Sequence, residues 1–239
     1  MMFALWSAFA VLVAAIGYRT QMLPLGAAFP LLGVGLLGSV VAVGLYALRM
    51  GMMLVRQQPG RIGVTAAGLV IGLVVLAIPG SVIVSARRHA NGLPAIHDIS
   101  TDTDDPPAVV EVLPLRASAP NTTAYGGPAV AAQQRSAFPD LGPVTLPGPP
   151  SHAFDIALAA VSNMKWTLVG SSREQGRIEA TDTTFWFGFK DDIVVRLRPA
   201  AGGTRVDVRS VSRVGGGDVG TNAKRIRAYL SVLSTLKEK

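Results

Sequence analysis

The distribution of charge along the chain is the strongest constraint on its fold. Residues 1–86 contain four charged side chains, all of them arginines, whereas the fifteen acids and the other eighteen bases lie in residues 87–239. A water-soluble globular domain cannot enclose 86 residues that are almost uncharged. The sequence therefore predicts a membrane-embedded first part followed by a water-soluble second part.

The excess of basic over acidic residues does not indicate nucleic-acid binding. The net charge of +7 divides into +4 for the membrane part and +3 for the soluble part, where acids and bases are mixed. The chain also lacks cysteine, which excludes disulfides, thiolate nucleophiles and cysteine metal sites. We expect the lipid bilayer, and no nucleic acid, as a partner.

Three apolar runs, at about residues 1–18, 22–48 and 62–84, are long enough to cross a bilayer as helices, because roughly 20 helical residues span a hydrocarbon core about 30 Å thick. The first run has no basic residue before it and no small-residue cleavage site after it. We therefore interpret it as a retained helix and not as a signal peptide. No ionisable residue lies inside a run, which argues against a transporter.

The arginines at the ends of the runs predict the orientation. With the N-terminus in the cytoplasm, Arg49, Arg56, Arg61 and the α-amine lie on the cytoplasmic side, a majority of about one charge over the other side. Three spans then place residues 87–239 outside the cytoplasm. We expect a multi-pass protein of the bacterial inner membrane with a periplasmic C-terminal region, and thus a cell-envelope protein.

Small residues in the third run predict a close helix–helix contact. Gly68-x-x-x-Gly72 is a spacing that lets two helix backbones approach each other. Two alternatives are open for its use. The glycines pack against the second helix of the same chain, or they form a homo-oligomer through Gly68 and Gly72.

Residues 87–142, which we call the arm, are rich in proline, and this spacing leaves no room for a long helix. Apolar side chains such as Ile96 and Tyr125 predict that the arm is ordered. Residues 97–163 carry a net charge of −5 and residues 204–239 a net charge of +5. Because such blocks attract each other at short range, we expect the arm to pack along the last strand and the closing helix.

Residues 143–239 predict an α+β domain with the element order β-α-β-β-β-β-α. Short strands alternate with turn signals at residues 174–176 and 201–203, and helical patterns begin near Ser151 and Asp218. Strands linked as hairpins form an antiparallel sheet, here with both helices on one face. The order is similar to TATA-binding-protein-like and helix-grip folds, an analogy of topology alone. The chain thus divides into a three-helix transmembrane anchor (1–86), the arm (87–142) and the α+β domain (143–239).

Acids and arginines alternate on neighbouring predicted strands, where they can pair across the sheet. Two interpretations are open: a structural lattice of ion pairs, or a groove for a polar ligand or partner that Phe185, Trp186 and Phe187 line at its rim. The candidate residues are Asp182, Thr183, Trp186, Asp191, Asp192, Arg196, Asp207, Arg209, Ser210, Ser212, Arg213, Asn222 and Arg225.

Other motifs favour simpler explanations. Residues 215–220 (GGGDVG) match a dinucleotide-binding fingerprint in letters, but no strand is predicted after the helix that follows, so we read them as a turn and helix cap and predict no cofactor. Residues 102–113 lack the glycine and glutamate of an EF-hand loop. A looser metal site built from His97, Asp98, Asp102 and Asp104 is a weaker alternative to solvated turn acids. Ser210 and Ser212 have no histidine placed to form a hydrolase triad, so no catalytic residue is assigned.

Several long strings carry a resemblance to a known family. "HDISTDTDDPP", "TDTTFWFGFKDD", "RVDVRSVSRVG" and "D-x-G-x-N-A-x-R-I-R" resemble the domain-of-unknown-function family 1499 over about residues 97–237. The resemblance implies an envelope protein that is commonly tethered to a membrane, with no established activity and no catalytic residues to transfer. The glycine-rich residues 215–217 depart from the more polar turn expected there.

Two functions from different classes follow. The first is a non-enzymatic, membrane-anchored periplasmic domain that binds a protein or another envelope component, because no nucleophile–base arrangement is found. The second is a carrier of, or an enzyme acting on, a small apolar or lipid-like ligand in a helix-grip-type cavity, with Phe185, Trp186, Phe187 and Phe189 at its mouth.

Overall fold

The computed structural model describes residues 1–57 and 62–237. The described chain divides into two compact units. One comprises Met1–Arg88 together with the short segment Phe185–Gly188, and the other comprises the rest of the chain from His89 onward. Arg61, which contributes to the predicted orientation, and the terminal pair 238–239 of the basic block lie outside the described residues.

The first unit contains three long apolar helices. These are α1 (Met2–Arg19), α2 (Leu25–Val55) and α3 (Ile62–Ala90). All three are long and apolar enough to cross a membrane, α3 over Ile62–Ser85. The prediction of a membrane-associated N-terminal part is confirmed.

Gly68 and Gly72 of α3 lie against α2 of the same chain. A Cβ added to Gly68 would come within 2.8 Å of the Tyr46 ring, and one added to Gly72 within 2.8 Å of Val43 Cγ2. Larger side chains would therefore push α3 away from α2. This contact is the intrachain alternative of the sequence analysis.

The second unit is built on one antiparallel sheet. Its strands are β1 (Asp98–Ser100), β2 (Val144–Leu146), β3 (Thr167–Ser172), β4 (Arg177–Thr183), β5 (Lys190–Ala200) and β6 (Gly203–Ser212). The order across the sheet is β1-β6-β5-β4-β3, and β2 also pairs with β6. Its helices are α4 (Gly127–Ala137), α5 (Pro150–Asn163) and α6 (Thr221–Leu236), with a short 3-10 helix at Leu113–Arg116. From β2 onward the order is β-α-β-β-β-β-α, so the predicted α+β fold is confirmed.

One face of the sheet carries α5 and α6. Because side chains alternate between the faces of a strand, Ile178 of β4 and Val195 of β5 point toward these helices and join the main core. Tyr229 of α6 is fully buried in this core, where its ring stacks on Trp166 at 5.2 Å and its hydroxyl donates to the Ala157 carbonyl at 2.9 Å. Large side chains thus fill the space between the sheet and the helices.

The other face of the sheet is covered by the arm. Val109 and Val112 of the arm pack on Val194 and Val211 of the sheet in a second, smaller core. At its start the arm adds the edge strand β1 to β6, with Ile99 opposite Ser210.

The arm also contains an 11-residue helix, α4, where no long helix is predicted. The helix begins with Pro128 in its first turn, the one place where proline is tolerated, because an N–H group there has no partner inside the helix. The buried side chain of Gln134 then joins α4 to β1. The Ser100 N–H donates to Gln134 Oε1 at 2.9 Å, and Gln134 Nε2 donates to the Ser100 carbonyl at 2.6 Å. These bonds occupy the outer edge of the sheet, which would otherwise present unpaired backbone groups.

Candidate functional site

The charged residues singled out in the sequence divide between the two faces of the sheet. Strand alternation is the reason, since residues two apart share a face. Toward the arm lie Asp192, Arg196, Asp207, Arg209 and Arg213; at the α6 side lie Asp182, Asp191, Ser210, Ser212, Asn222 and Arg225; Thr183 and Trp186 lie at the end of β4 and in the loop after it. The structure therefore forms two polar clusters, not one groove.

Asp192 is the centre of the first arm-side group and is fully buried. Its carboxylate accepts two bonds from Arg213, each at 2.8 Å, one from Arg116 Nη1 at 2.5 Å and one from the Thr181 hydroxyl at 2.7 Å. Arg116 comes from the arm. It also donates to the carbonyl of Asn121 in the arm and to that of Ser212 at the end of β6. A buried carboxylate with two guanidinium partners is held in one geometry and has no free edge for a ligand.

Asp207 and Asp102 form a second arm-side group with three arginines. Asp207 on β6 is fully buried, and Arg196, Arg198 and Arg205 all lie within 3.2 Å of the Asp102 or Asp207 carboxylates. Burial by itself would raise the pKa of Asp102, but backbone N–H groups of the arm and the guanidinium groups of Arg205 and Arg196 bring this pKa below its ordinary value. The group is an ion-pair network that joins the arm to β5 and β6.

The third arm-side group joins β1 to β6. Arg209 is 3% exposed and donates two hydrogen bonds to Asp98, from Nε to Oδ1 at 2.9 Å and from Nη2 to Oδ2 at 2.6 Å. Its remaining donors reach the carbonyls of Pro107 and Thr123. The guanidinium also lies 5.7 Å from the Tyr125 ring centre. Burial, with the nearby Asp98 charge, raises the pKa of Tyr125 to about 12.

Glu179, which is not among the candidate site residues of the sequence analysis, completes the arm-side layer. Its carboxylate is fully buried, accepts the N–H groups of Val110 and Val112 at 3.0 Å and pairs with Arg177 Nε at 3.0 Å. The sequence does contain a signal for Glu179. Glu179 lies two residues before Thr181 on the same predicted strand, so the two side chains share a face of the sheet. Arg116 had no such signal, since only the folded arm brings it to Asp192.

The second cluster surrounds Arg225 near the start of α6. Arg225 Nε donates to Asp182 at 2.8 Å and Nη2 to Asp191 at 2.5 Å, while Nη1 reaches Ser210 Oγ at 3.2 Å and contacts Asn222 Oδ1. The amide of Asn222 then donates to Ser212 Oγ at 3.0 Å and to a backbone carbonyl of the arm at 2.9 Å. The partners of both serine hydroxyls are therefore Asn222 and Arg225, which cannot act as the base of a hydrolase.

The glycine-rich segment 215–220 forms a turn into α6. Asp218 accepts the N–H groups of Gly220 at 2.9 Å and Asn222 at 2.7 Å, as an acid at a helix start does. Burial raises the pKa of Asp218 despite these bonds. Gly220 has φ +80°, a backbone conformation that favours glycine. Strand β6, which leads into this turn, pairs antiparallel with β5, whereas the βαβ unit of a dinucleotide site contains parallel strands.

The residues of the weaker metal alternative do not form a cation site. Asp98 is bound by Arg209, Asp102 by three arginines, and Asp104 is exposed beside Arg135. His97 contributes its backbone carbonyl to Asn222 and Ser212. Across residues 1–57 and 62–237, no group of three or more His, Cys, Asp or Glu side chains lies close enough to hold a metal ion.

An open cleft lies where the arm passes the end of β1. Its volume is about 370 Å³, and its wall includes His97, Asn121, Thr122, Val130 and Gly216. This size is within the range of small-ligand sites. Sequence reasoning did not find the cleft, because its walls come from four separate parts of the chain.

Comparisons with known proteins bear on the soluble unit. A family model described as "Protein of unknown function (DUF1499)" matches residues 98–233. None of the curated proteins matches the sequence. Among solved structures, the crystal structure of TTHA0849 from Thermus thermophilus is similar with 12% sequence identity and a TM-score of 0.26, over 40% of this chain and 94% of that chain. Because the family match spans more than half of the sequence and includes both polar clusters, this chain belongs to the DUF1499 family of proteins of unknown function.

Proposed function

We propose that this membrane-anchored protein is a non-enzymatic binding protein of the cell envelope, with its α+β unit in the periplasm. One observation carries the proposal: the buried carboxylates of the arm-side groups are paired with other groups inside the domain. Asp192, Asp207 and Glu179 are each fully buried and bound by arginines or backbone N–H groups. A site for chemistry needs a nucleophile or base with a free approach to substrate.

The packing of the main core argues against the carrier alternative. In a helix-grip-type carrier the ligand occupies the space between the sheet and the long helix. Here Tyr229, Trp166 and Phe154 occupy that space and are at most 7% exposed. A lipid-sized ligand would have to displace these side chains.

The cleft beside the arm is the site at which we propose that the partner binds. It is lined by the imidazole-bearing His97, by hydrogen-bonding groups at Asn121 and Thr122, and by apolar surface at Ala95 and Val130. A few polar groups among apolar ones are typical of a recognition site. The occupant that we propose is a side chain or short segment of an envelope protein.

Site-specific photo-crosslinking in living cells tests this proposal. A photoreactive amino acid replaces Thr122 in the cleft or, as the matched control, Ser231 on the exposed face of α6. We expect a discrete adduct from position 122 and none from position 231. No adduct at either position, or the same adducts at both, would overturn the proposed binding site.

A separate experiment tests the periplasmic location. The chain has no cysteine, so Ser231→Cys provides a single thiol without further changes. We expect a membrane-impermeant maleimide to label this thiol in intact spheroplasts to the same extent as after lysis. Labelling that requires lysis would place the domain in the cytoplasm.

A further inference from the structure

The loop between β4 and β5, residues 184–189, is unusually rich in aromatic side chains. We call it the aromatic loop. Its sequence is Thr-Phe-Trp-Phe-Gly-Phe, and Phe185 and Trp186 are 81% and 46% exposed, with their rings in a T-shaped pair at 5.7 Å. Adjacent exposed aromatic residues of this size mark a surface that contacts an apolar phase or partner.

The fold holds this loop in a defined shape at its base. The Thr184 N–H donates to the Phe189 carbonyl at 2.9 Å, and the Phe189 N–H donates to the Thr184 hydroxyl at 2.9 Å. Gly188 has φ +70°, which allows the tight turn between them. The sheet therefore presents the tip of the loop as a preformed feature.

Two observations point to lipid as the partner of the tip. The segment Phe185–Gly188 belongs to the compact unit of the three membrane-spanning helices. Within that unit the ring of Phe187 lies 6.2 Å from that of Tyr18 in α1 and 5.7 Å from that of Phe29 in α2, while Phe185 and Trp186 stay exposed. In addition, seven residues, 91–97, join α3 to β1, and an extended chain of that length covers less than about 30 Å. The connection therefore tethers β1 within about 30 Å of the end of α3.

The chemistry of the loop also suits the interface of a bilayer. Tryptophan and other aromatic side chains prefer the headgroup region, where an apolar ring and a polar atom are both accommodated. Lys190, directly after the loop, is exposed and can approach lipid phosphates. The nearest acids, Asp182 and Asp191, are both paired with Arg225, so their charge does not oppose insertion.

We propose that the aromatic loop inserts Phe185 and Trp186 into the headgroup interface of the membrane that anchors the chain. The ligand of this site is the lipid surface itself. The soluble unit is already attached to the membrane through its chain connection to α3. Insertion of the loop adds a second attachment and limits the rotation of the soluble unit about that connection. The proposal holds for either leaflet and thus does not depend on the periplasmic location proposed above.

Fluorescent labelling of the full-length protein in phosphatidylcholine–phosphatidylglycerol vesicles tests the insertion. Because the chain has no cysteine, Phe185→Cys and Ala201→Cys each carry one environment-sensitive dye. Residue 201 is an exposed position in the β5–β6 turn, at the opposite end of the sheet. We expect the dye at 185 to be quenched by lipids with a spin label near the headgroup and to be several-fold less sensitive than the dye at 201 to an aqueous quencher.

Every other pattern of quenching overturns the proposal. Equal aqueous quenching at 185 and 201 would show that the loop stays in water. Strong lipid quenching at both positions would show that the whole domain lies on the surface without using the loop. Protection of 185 from both kinds of quencher would show that the loop packs against protein.

A second set of variants tests whether the aromatic side chains cause the insertion. The reporter is a dye on Thr183→Cys, next to the loop. We expect F185S/W186S to abolish lipid quenching of this dye. The matched control is Leu168→Ser on β3, because Leu168 is 46% exposed like Trp186, and it should leave the quenching unchanged. Equal loss in both variants, or no loss in F185S/W186S, would overturn the role of the loop.

Discussion

At the scale of single residues, Asp192 and Asp140 make the same kind of ion pair in opposite environments. Each carboxylate accepts two bonds from a single guanidinium group, that of Arg213 and Arg227 respectively. Asp192 has Arg116 as a second partner. The side chain of Asp192 is fully buried, whereas that of Asp140 is 55% exposed. Burial of an ion pair costs several kcal/mol in desolvation, so loss of one partner leaves the other charge uncompensated.

The substitution Asp192→Asn is therefore expected to lower the free energy of unfolding by about 3–5 kcal/mol. Asp140→Asn, the matched control, should lower it by less than about 1 kcal/mol because solvent screens the exposed pair. Pulse proteolysis of the purified full chain in mild detergent and increasing urea measures both values. Similar urea midpoints for the two variants would contradict the structural role of the buried pair.

Asp102 and Asp218 are expected to give opposite pH dependences of stability. The folded-state pKa of Asp102 is lowered, so its contribution is present above the ordinary value of 3.8 and is lost as the pH falls through the folded pKa. The folded-state pKa of Asp218 is raised, so its contribution is present below 3.8 and is lost as the pH rises through the folded pKa.

Asp218→Asn should therefore remove part of the fall in stability as the pH rises above 3.8. Asp102→Asn should remove part of the rise in stability as the pH increases toward 3.8 from below. Urea midpoints of the wild type and both variants between about pH 3 and pH 7 measure the slopes. A slope above the ordinary carboxyl pKa that Asp218→Asn leaves unchanged would show that burial does not perturb this group.

At the scale of elements, the strands and long helices could be predicted, and much of the arm could not. Apolar alternation on β5 and β6 and the helical spacing around Tyr229 are local patterns, and they located these elements to within a few residues. The three residues of β1 and the helix α4 have no strong local pattern. They depend on Gln134, whose amide binds the backbone of Ser100, a residue 34 positions away. Contacts of that range do not appear as periodicity in a sequence.

The same limit applied to the candidate site. Asp192 and Arg209 were singled out because acids and arginines alternate on neighbouring strands, and in the structure both lie in polar groups. The sequence could not show that Arg116 and the backbone of Val110 and Val112 would occupy the free faces of the buried carboxylates. Whether a charged strand face is an open groove or a buried layer depends on what covers it.

Gln134→Ala is expected to release the edge of the sheet. The change leaves the Ser100 N–H and carbonyl without their side-chain partner, a loss of about 1–3 kcal/mol for a buried group. Gln133→Ala is the matched control, because Gln133 is the adjacent residue of the same helix and is exposed. Hydrogen exchange at the Ser100 amide should become much faster in Gln134→Ala and stay unchanged in Gln133→Ala. Unchanged exchange in both variants would show that α4 does not protect β1.

At the scale of the whole molecule, the arm and the sheet belong to one compact unit that begins at His89. The arm supplies Arg116 to Asp192, backbone N–H groups to Glu179, and Asp102 to the arginines of β5 and β6. Removal of the arm would therefore expose an apolar face and also leave buried charges without partners. A domain can tolerate the loss of some apolar contacts. Charges that stay buried without a partner cost much more free energy, because they are neither solvated nor paired.

We therefore expect residues 143–237 to be unable to fold alone, whereas residues 91–237 fold cooperatively. The shorter fragment keeps β2 through β6 and both core helices, so a difference between the two fragments reports on the arm. Circular dichroism and urea titration should show one steep transition for 91–237 and no cooperative transition for 143–237.

As the control for charge, 91–237 carrying Arg116→Met retains the chain of the arm and much of its apolar contact. Its transition should persist at a lower urea midpoint, since one of the two guanidinium partners of Asp192 is lost. A cooperative transition for 143–237 at the midpoint of 91–237 would show that the sheet is stable without its charged cover.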